Sequence, residues 1–411
     1  MNRVVITGIG ALTPVGNTAP KTWESLKAGI HGIDFITKFD ATDFKVRIAA
    51  EVRDFDPLAY LTKDESRKND PYAQYALVAA SEAVADSGIE GKVDPMRFGV
   101  YFGSGIGGMT TFMTEHGKLL TGGPRKVSPF YVPMMISNIA AGNIAIRFGC
   151  KGATLPIVTA CATSTNAIGE AFRAVKHGYA DAIIAGGAEA TINPLAVAGF
   201  INCMALSTKN EPDASSLPFD KRRAGFVMGE GAAAIIIEEY EHARARGATI
   251  YAEITGYGNT CDAHHMTAPH PEAEGAAAAF SLAASEGGWE PGMSVYVNAH
   301  GTGTPLNDKA ETLALKTAFG EAEARRLRIS STKSMTGHML GAGGATEAIA
   351  AAMALRTGVI PPTIGLQEPD PECDLDYTPL VAVKASCDMA FSSSLGFGGH
   401  NAVIALRKIE G

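Results

Sequence analysis

No Cys-x-x-Cys pair occurs anywhere in the 411 residues. The six cysteines (Cys150, Cys161, Cys203, Cys261, Cys373 and Cys387) are scattered, which argues against a zinc ribbon and against a disulfide framework. No apolar run reads as a membrane span. The two long uncharged stretches, Val127 to Ile146 and Gly152 to Gly169, carry Ser, Thr, Asn and Pro, and Pro129 and Pro133 break the first. Positive charge is short as well: a net charge of −8 argues against a general nucleic-acid binder, though it leaves room for a local basic patch. Charged residues make up 19% and aromatics 7%, yet hydrophobic residues reach 46%, so neither a disordered tail nor a coiled-coil rod fits. Met1-Asn2-Arg3 leads into three apolar residues, too few for a secretory h-region, and a reducing cytoplasm is the expected setting.

Glycine, by contrast, is plentiful at 46 residues, which points to tight turns and close backbone contacts. Short β-rich runs alternate with Ala-rich helical segments. The expected strands are Val4–Gly8, Phe98–Phe102, Ile157–Ala160, Ala182–Gly186, Ala232–Glu238, Ile250–Gly256, Val295–Ala299, Leu327–Ser331, Leu380–Lys384 and Ala402–Leu406. Helical patterns cover Asp70–Ser87, Thr163–His177, Pro271–Ser285, Asp308–Phe319 and Ala342–Arg356. Strands apolar on both faces, separated by helices, predict an α/β fold with sheets sandwiched by helices. Ile6-Thr7-Gly8-Ile9-Gly10 recurs as Ile254-Thr255-Gly256-Tyr257-Gly258; if that marks a duplication, two similar halves meet near residue 250.

The strongest local feature is Ile157-Val158-Thr159-Ala160-Cys161-Ala162-Thr163-Ser164, where a β-run gives way to an Ala-rich helix. A thiol at a helix N-terminus gains from unpaired N–H groups and the helix dipole, which lower its pKa, and the same N–H groups can form an oxyanion hole. The alternative is a small buried hydrophobe, the reading kept for the other five cysteines. Two more β-runs end in small residues and an imidazole: Asn298-Ala299-His300-Gly301-Thr302-Gly303-Thr304 and Lys333-Ser334-Met335-Thr336-Gly337-His338. Ligands of α/β sheets gather at strand ends, so the three segments can converge on one site. Gly103-Ser104-Gly105-Ile106-Gly107-Gly108 formally satisfies a dinucleotide fingerprint, but no acidic residue follows at the required distance. His264-His265 is weak as a metal ligand pair, and no metal site is expected.

These segments, taken in order with Gly396-Phe397-Gly398-Gly399-His400-Asn401, resemble the β-ketoacyl-[acyl-carrier-protein] synthases over essentially the whole chain. Gly123-Pro124-Arg125-Lys126 before Ser128-Pro129-Phe130 is similar to the elongating branch of bacterial type II fatty acid synthesis. The resemblance implies a thiolase-like fold, two similar halves in a five-layer αβαβα sandwich, divided as 1–250 with the nucleophile and 251–411 with the catalytic histidines and lysine. It implies decarboxylative Claisen condensation of acyl and malonyl groups, both carried on the phosphopantetheine of acyl carrier protein, with no cofactor. A structural monovalent cation stays open. Cys161 would carry the acyl group, His300 and His338 would stabilise an enolate, and Lys333, paired with Glu347, would hold the network. The N–H groups of Cys161 and Phe397 would form the acyl oxyanion hole, with Phe397 as gate. Thr302 and Thr304 match pantetheine-binding positions, Ile106 and Phe200 match the acyl-pocket wall, and the pocket's depth would depend on how Ile106, Phe130, Tyr131 and Phe200 pack across a homodimer interface. Lys63, Arg67, Lys68, Arg125 and Lys126 would dock the acidic carrier protein. Neither nucleic acid nor membrane is an implied partner. Met204 and His400 depart from the family's pattern, the first removing a docking charge. A thiolase would need a second cysteine in the Gly396 turn, a non-condensing partner subunit would lack the nucleophile, and a polyketide synthase subunit shares the chemistry.

Overall fold

The computed structural model describes residues 1–409. Ten strands form one mixed sheet. In chain order they are β1 (Val4–Leu12), β2 (Phe98–Gly103), β3 (Thr154–Leu155), β4 (Ala182–Glu189), β5 (Gly231–Glu239), β6 (Ala252–Cys261), β7 (Val295–Asn298), β8 (Arg328–Ser330), β9 (Met389–Gly396) and β10 (His400–Arg407). Across the sheet they run β8-β7-β9-β10-β6-β1-β5-β4-β2-β3. From the central pair outward, each half therefore uses its first, fifth, fourth, second and third strand. The directions repeat too: antiparallel, antiparallel, parallel, parallel in both halves. β1 and β6 join the halves through Val4↔Ile254, Val5↔Glu253 and Ile6↔Ala252.

The repeated Ile-Thr-Gly-x-Gly segments explain how close the outer helices come. A Cβ on Gly10 would stand 2.1 Å from the Ala79 carbonyl, and one on Gly258 would stand 1.9 Å from the Ala279 carbonyl. Those carbonyls belong to α1 (Pro71–Ser87) and α4 (Glu274–Gly287), which lie over β1 and β6 at equivalent places. α1 and α2 (Ile139–Phe148) cover the outside of the first half, and α4 and α5 (Pro305–Phe319) the outside of the second. α3 (Thr163–Lys176) and α6 (Gly343–Thr357) fill the middle layer and pack on both halves of the sheet. The result is five layers, α/β/α/β/α. Among the described residues no helix is long and apolar enough to cross a membrane.

Two expected strands need correction, and one strand was not expected. Ile157–Ala160 is not a strand: β3 ends at Leu155, and the following residues run extended without ladder partners into a 3₁₀ turn. Of Leu380–Lys384 only Val383–Lys384 is a strand, paired with Val359–Ile360 in a separate ribbon. β9 was unanticipated because Ser392-Ser393-Ser394 interrupts its apolar run; those serines are buried, and Ser393 and Ser394 bond Glu311 and Thr165.

Candidate active site

Cys161 sits in the 3₁₀ turn Ala160–Ala162 that leads into α3. Ala160 takes a left-handed φ of 50°, turning the chain sharply before the helix. The turn is tied by the Thr159 N–H donating to Thr163 Oγ1 at 2.9 Å and by Asn166 Nδ2 donating to Thr159 Oγ1 at 2.7 Å. Leu340 repeats the left-handed turn (φ 47°) before α6, where Gly341 stands in the place Cys161 holds before α3. The half-buried thiol is pushed up to about 12 by desolvation; the Lys333 charge and the Phe397 N–H pull it down but do not prevail. This runs opposite to the expectation of a lowered pKa, because desolvation outweighs the Lys333 charge and the Phe397 N–H.

β7 ends at Asn298 and delivers His300, whose N–H donates to Glu311 Oε1 at 2.7 Å, while the Gly301 N–H donates to Glu311 Oε2 at 2.7 Å. Glu311, on α5, is fully buried, and desolvation raises its pKa to about 7. β8 leads to the short helix Lys333–Thr336, then Gly337 at φ 61°, then His338. The His338 N–H donates to the Val227 carbonyl at 2.7 Å, and the His338 carbonyl accepts from Gly229 at 2.8 Å. The two imidazoles stand 5.2 Å apart, edge to face, with Phe226 packed 5.1 Å from His338. Both histidines are held well below 6.5, first by desolvation and then by the Lys333 charge. His338 Nδ1 and Nε2 and His300 Nδ1 are buried and find no protein partner among the described residues. Lys333 pairs with Glu347, and both side chains are buried.

Cys161, His300, His338, Phe397, Thr302 and Thr304 line one cavity of about 270 Å³. Thr302 and Thr304 share a hydroxyl hydrogen bond of 3.0 Å, and Asp308 steadies their loop by accepting from the Gly303 N–H at 3.2 Å. Phe397 occupies the β9–β10 turn, pinned by the Gly398 N–H to the Met266 carbonyl at 2.7 Å and by Asn401 Nδ2 to Asp262 Oδ1 at 2.7 Å. His400 opens β10 beside that turn, and Met204 is 89% exposed on the cavity rim. Cys203 also lines the cavity and Cys261 is exposed, so for these two the buried-hydrophobe reading fails; Cys150, Cys373 and Cys387 are buried.

The other expected residues lie outside the cavity. Phe200 is half-buried and packs 5.7 Å from Phe226, within the cluster that also holds Cys161. Ile106 is 41% exposed on this chain. Lys63, Arg67 and Lys68 lie on the helix Lys63–Lys68, and Arg125 and Lys126 on the turn Pro124–Lys126; all five are exposed. Lys68 Nζ, 5.3 Å from the Phe130 ring, links the two segments. In the glycine loop, Glu189 accepts from the Gly105 N–H at 2.9 Å and the Ile106 N–H at 3.3 Å, so a carboxylate already occupies the amides a pyrophosphate would need. His265 Nδ1 accepts from the Thr267 and Ala268 N–H groups, and no three metal-ligating side chains cluster among the described residues. Glu189 and Glu311 are the functional-site residues that the sequence did not single out.

The chain matches the model of the β-ketoacyl synthase N-terminal domain over residues 1–243 and that of the β-ketoacyl synthase C-terminal domain over residues 251–367. It is 51% identical over 411 residues to 3-oxoacyl-[acyl-carrier-protein] synthase 2 of Staphylococcus aureus strain COL, covering 99% of each chain. A β-ketoacyl synthase from Burkholderia phymatum STM815 superposes with a TM-score of 0.92 at 37% identity, covering 100% of both chains. A type II polyketide ketosynthase, solved in complex with its acyl-carrier protein and bound to the hexaketide, superposes with a TM-score of 0.92 at 32% identity, covering 99% of this chain and 100% of that one.

Proposed function

The chain belongs to the β-ketoacyl synthase family, and on that premise we propose that Cys161, His300 and His338 carry out its condensation of acyl-carrier protein with malonyl-carrier protein in fatty acid elongation. The observation carrying this reading is that the thiol and both imidazoles line one cavity. Cys161 sulfur attacks the acyl thioester carbonyl, the oxyanion takes the Cys161 and Phe397 N–H groups, and the carrier thiol departs with the cysteine's proton. The malonyl group then loses CO2; the electron pair of the broken C–C bond becomes an enolate, which His300 and His338 stabilise as neutral donors. The carbanion attacks the acyl carbonyl, the C–S bond breaks, and the departing sulfur takes up one proton.

Lys333 with Glu347 sets the charge of the site, Phe397 gates it, and Thr302 and Thr304 bind the pantetheine arm. The basic segments Lys63–Lys68 and Arg125–Lys126 are the docking face for acyl carrier protein. Ile106 and Phe200 wall the acyl chain, completed by a second copy of the chain: β3 is an open sheet edge, and Ile146, Val132 and Phe130 are exposed large apolar side chains. The halves divide at residue 250. All six cysteines are free, which fits a reducing cytoplasm. No cofactor enters; buried oxygens without a protein partner, Asn298 Oδ1 and Ser392 Oγ on paired strands, are where a structural monovalent cation would sit, and no step runs through it.

The test is intact mass spectrometry with peptide mapping after mixing with decanoyl-carrier protein. One acyl group on the Cys161 peptide, discharged by malonyl-carrier protein, is the expected result. Acylation from coenzyme A alone would favour a thiolase, and no acylation from either would leave a non-condensing subunit.

A further inference from the structure

Glu189 is the last residue of β4, has no exposed surface and has no ion-pair partner among the described residues. Four donors converge on its carboxylate. Oε1 accepts from the Ser104 hydroxyl at 2.8 Å and the Ile106 N–H at 3.3 Å; Oε2 accepts from the Gly105 N–H at 2.9 Å and the Gly341 N–H at 3.1 Å. Those donors come from two turns with different work: the loop after β2 that carries Ile106, and the turn between His338 and α6. The Cys161 turn lies against the same loop: a Cβ on Gly105 would stand 2.8 Å from Glu189 Oε2 and 3.4 Å from the Ala160 carbonyl. Gly341 approaches as closely, with a Cβ there falling 2.6 Å from the Gly105 nitrogen. An amide in this place would keep one oxygen as acceptor and turn its NH2 group toward the other pair of donors.

We infer that Glu189 is a positioning residue that locks the Ile106 loop to the His338 turn, so that the Cys161 turn packed against that loop keeps its register, and sets the charge the Cys161 thiol faces. This rests on the reading of Cys161 as nucleophile. The ionisable side chains that feel the Glu189 charge are Cys161 and, from α1, Tyr72; Lys333 and Glu347 also act on the thiol. Burial raises the Glu189 carboxyl to about 7, and its negative charge opposes Lys333 in holding the thiol protonated.

The experiment compares the full-length unaltered protein with Glu189→Gln and Ser104→Ala. Iodoacetamide alkylation of Cys161 is followed against pH, and acylation of Cys161 by decanoyl-carrier protein is timed. Removing the charge should move the alkylation midpoint of Glu189→Gln to lower pH, a shift that a merely structural role would not produce, and should slow acylation about fivefold or more. Ser104→Ala keeps the charge, so its midpoint should stay in place while acylation slows. An unmoved midpoint in Glu189→Gln with unchanged acylation overturns the inference. If that variant does not fold, unchanged acylation in Ser104→Ala overturns it instead. Failure of the unaltered protein to become acylated at Cys161 would be a failure of the nucleophile assignment, and would be seen before either variant is compared.

Discussion

Lys333 acts on Cys161, His300 and His338 alike, pulling down both the thiol and the two imidazoles. Its burial is tolerated because Glu347 answers it, and stripping one partner from such a pair costs about 3–5 kcal/mol. Glu347→Ala should therefore lose about 3–5 kcal/mol of unfolding free energy, read from the urea midpoint at constant slope. The imidazoles give a pH prediction. Desolvation and the Lys333 charge both disfavour imidazolium, so both pKa values lie well below 6.5 and the rings stay neutral donors as pH falls. Malonyl decarboxylation should change by less than about twofold between about pH 7.5 and 6.0. Lys333→Ala removes one depressing cause, raises the imidazole pKa values, and should bring an acid limb into that window. Flat profiles in both proteins would deny Lys333 an electrostatic role. Cys161, His300, His338 and Lys333 were legible because each follows an apolar run among small residues. Glu189 and Glu311 were not, since a glutamate reads as solvated until other elements close over it. The thiol's direction was misread for the same reason: its desolvation is tertiary.

At the scale of elements, the packing of α1 on β1 and α4 on β6 depends on missing side chains. Gly8 and Gly10 face the Ala83 and Ala79 carbonyls, and Gly256 and Gly258 face those of Ala283 and Ala279. Gly258→Ala would force a methyl to 1.9 Å from a carbonyl oxygen, so α4 must lift, at a cost of about 1–3 kcal/mol or more. Gly117 is the internal control. It lies within the helix Met109–Gly122, is exposed, and a Cβ there meets nothing within 4 Å. Gly117→Ala should gain about 0.5–1 kcal/mol from helix propensity alone. Urea unfolding of the two variants should move in opposite directions; a stabilised Gly258→Ala would mean the repeated glycines do not set the helix-to-sheet distance. The segment-level reading caught this repeat but missed β9, whose Ser393 and Ser394 are satisfied by Glu311 and Thr165, partners distant in sequence. It also weighed the stretch holding α2 only as a membrane candidate.

Across the whole molecule, the duplicated topology places one turn before each central helix, yet only the first carries a thiol; Gly341 fills the second. The second half instead supplies the two imidazoles, so a single site needs both halves. That division was readable from motif order, and the gathering of strand ends in α/β sheets pointed to one shared site, which the common cavity matches. Charge is divided as well. The chain carries −8 overall, which should repel an acidic carrier protein at long range, so docking must rest on local concentration of cations. Lys63, Arg67, Arg125 and Lys126 are exposed and none forms an ion pair among the described residues, so their charge is not spent internally. Lys68 is partly committed to Asp64 at 2.7 Å, which makes it the weaker contributor. Reversing two of the free charges, Arg67→Glu with Arg125→Glu, should raise the KM for decanoyl-carrier protein by about tenfold or more, with kcat little changed. The KM for decanoyl-pantetheine, which carries the arm without the acidic protein, should stay the same. For the unaltered protein the carrier-protein KM should climb steeply with salt as the Debye length shrinks from about 10 Å toward about 3 Å, and the double variant should lose most of that dependence. Equal KM changes for both substrates would mean the substitutions disturbed the site itself, and no change for either would move the docking face elsewhere.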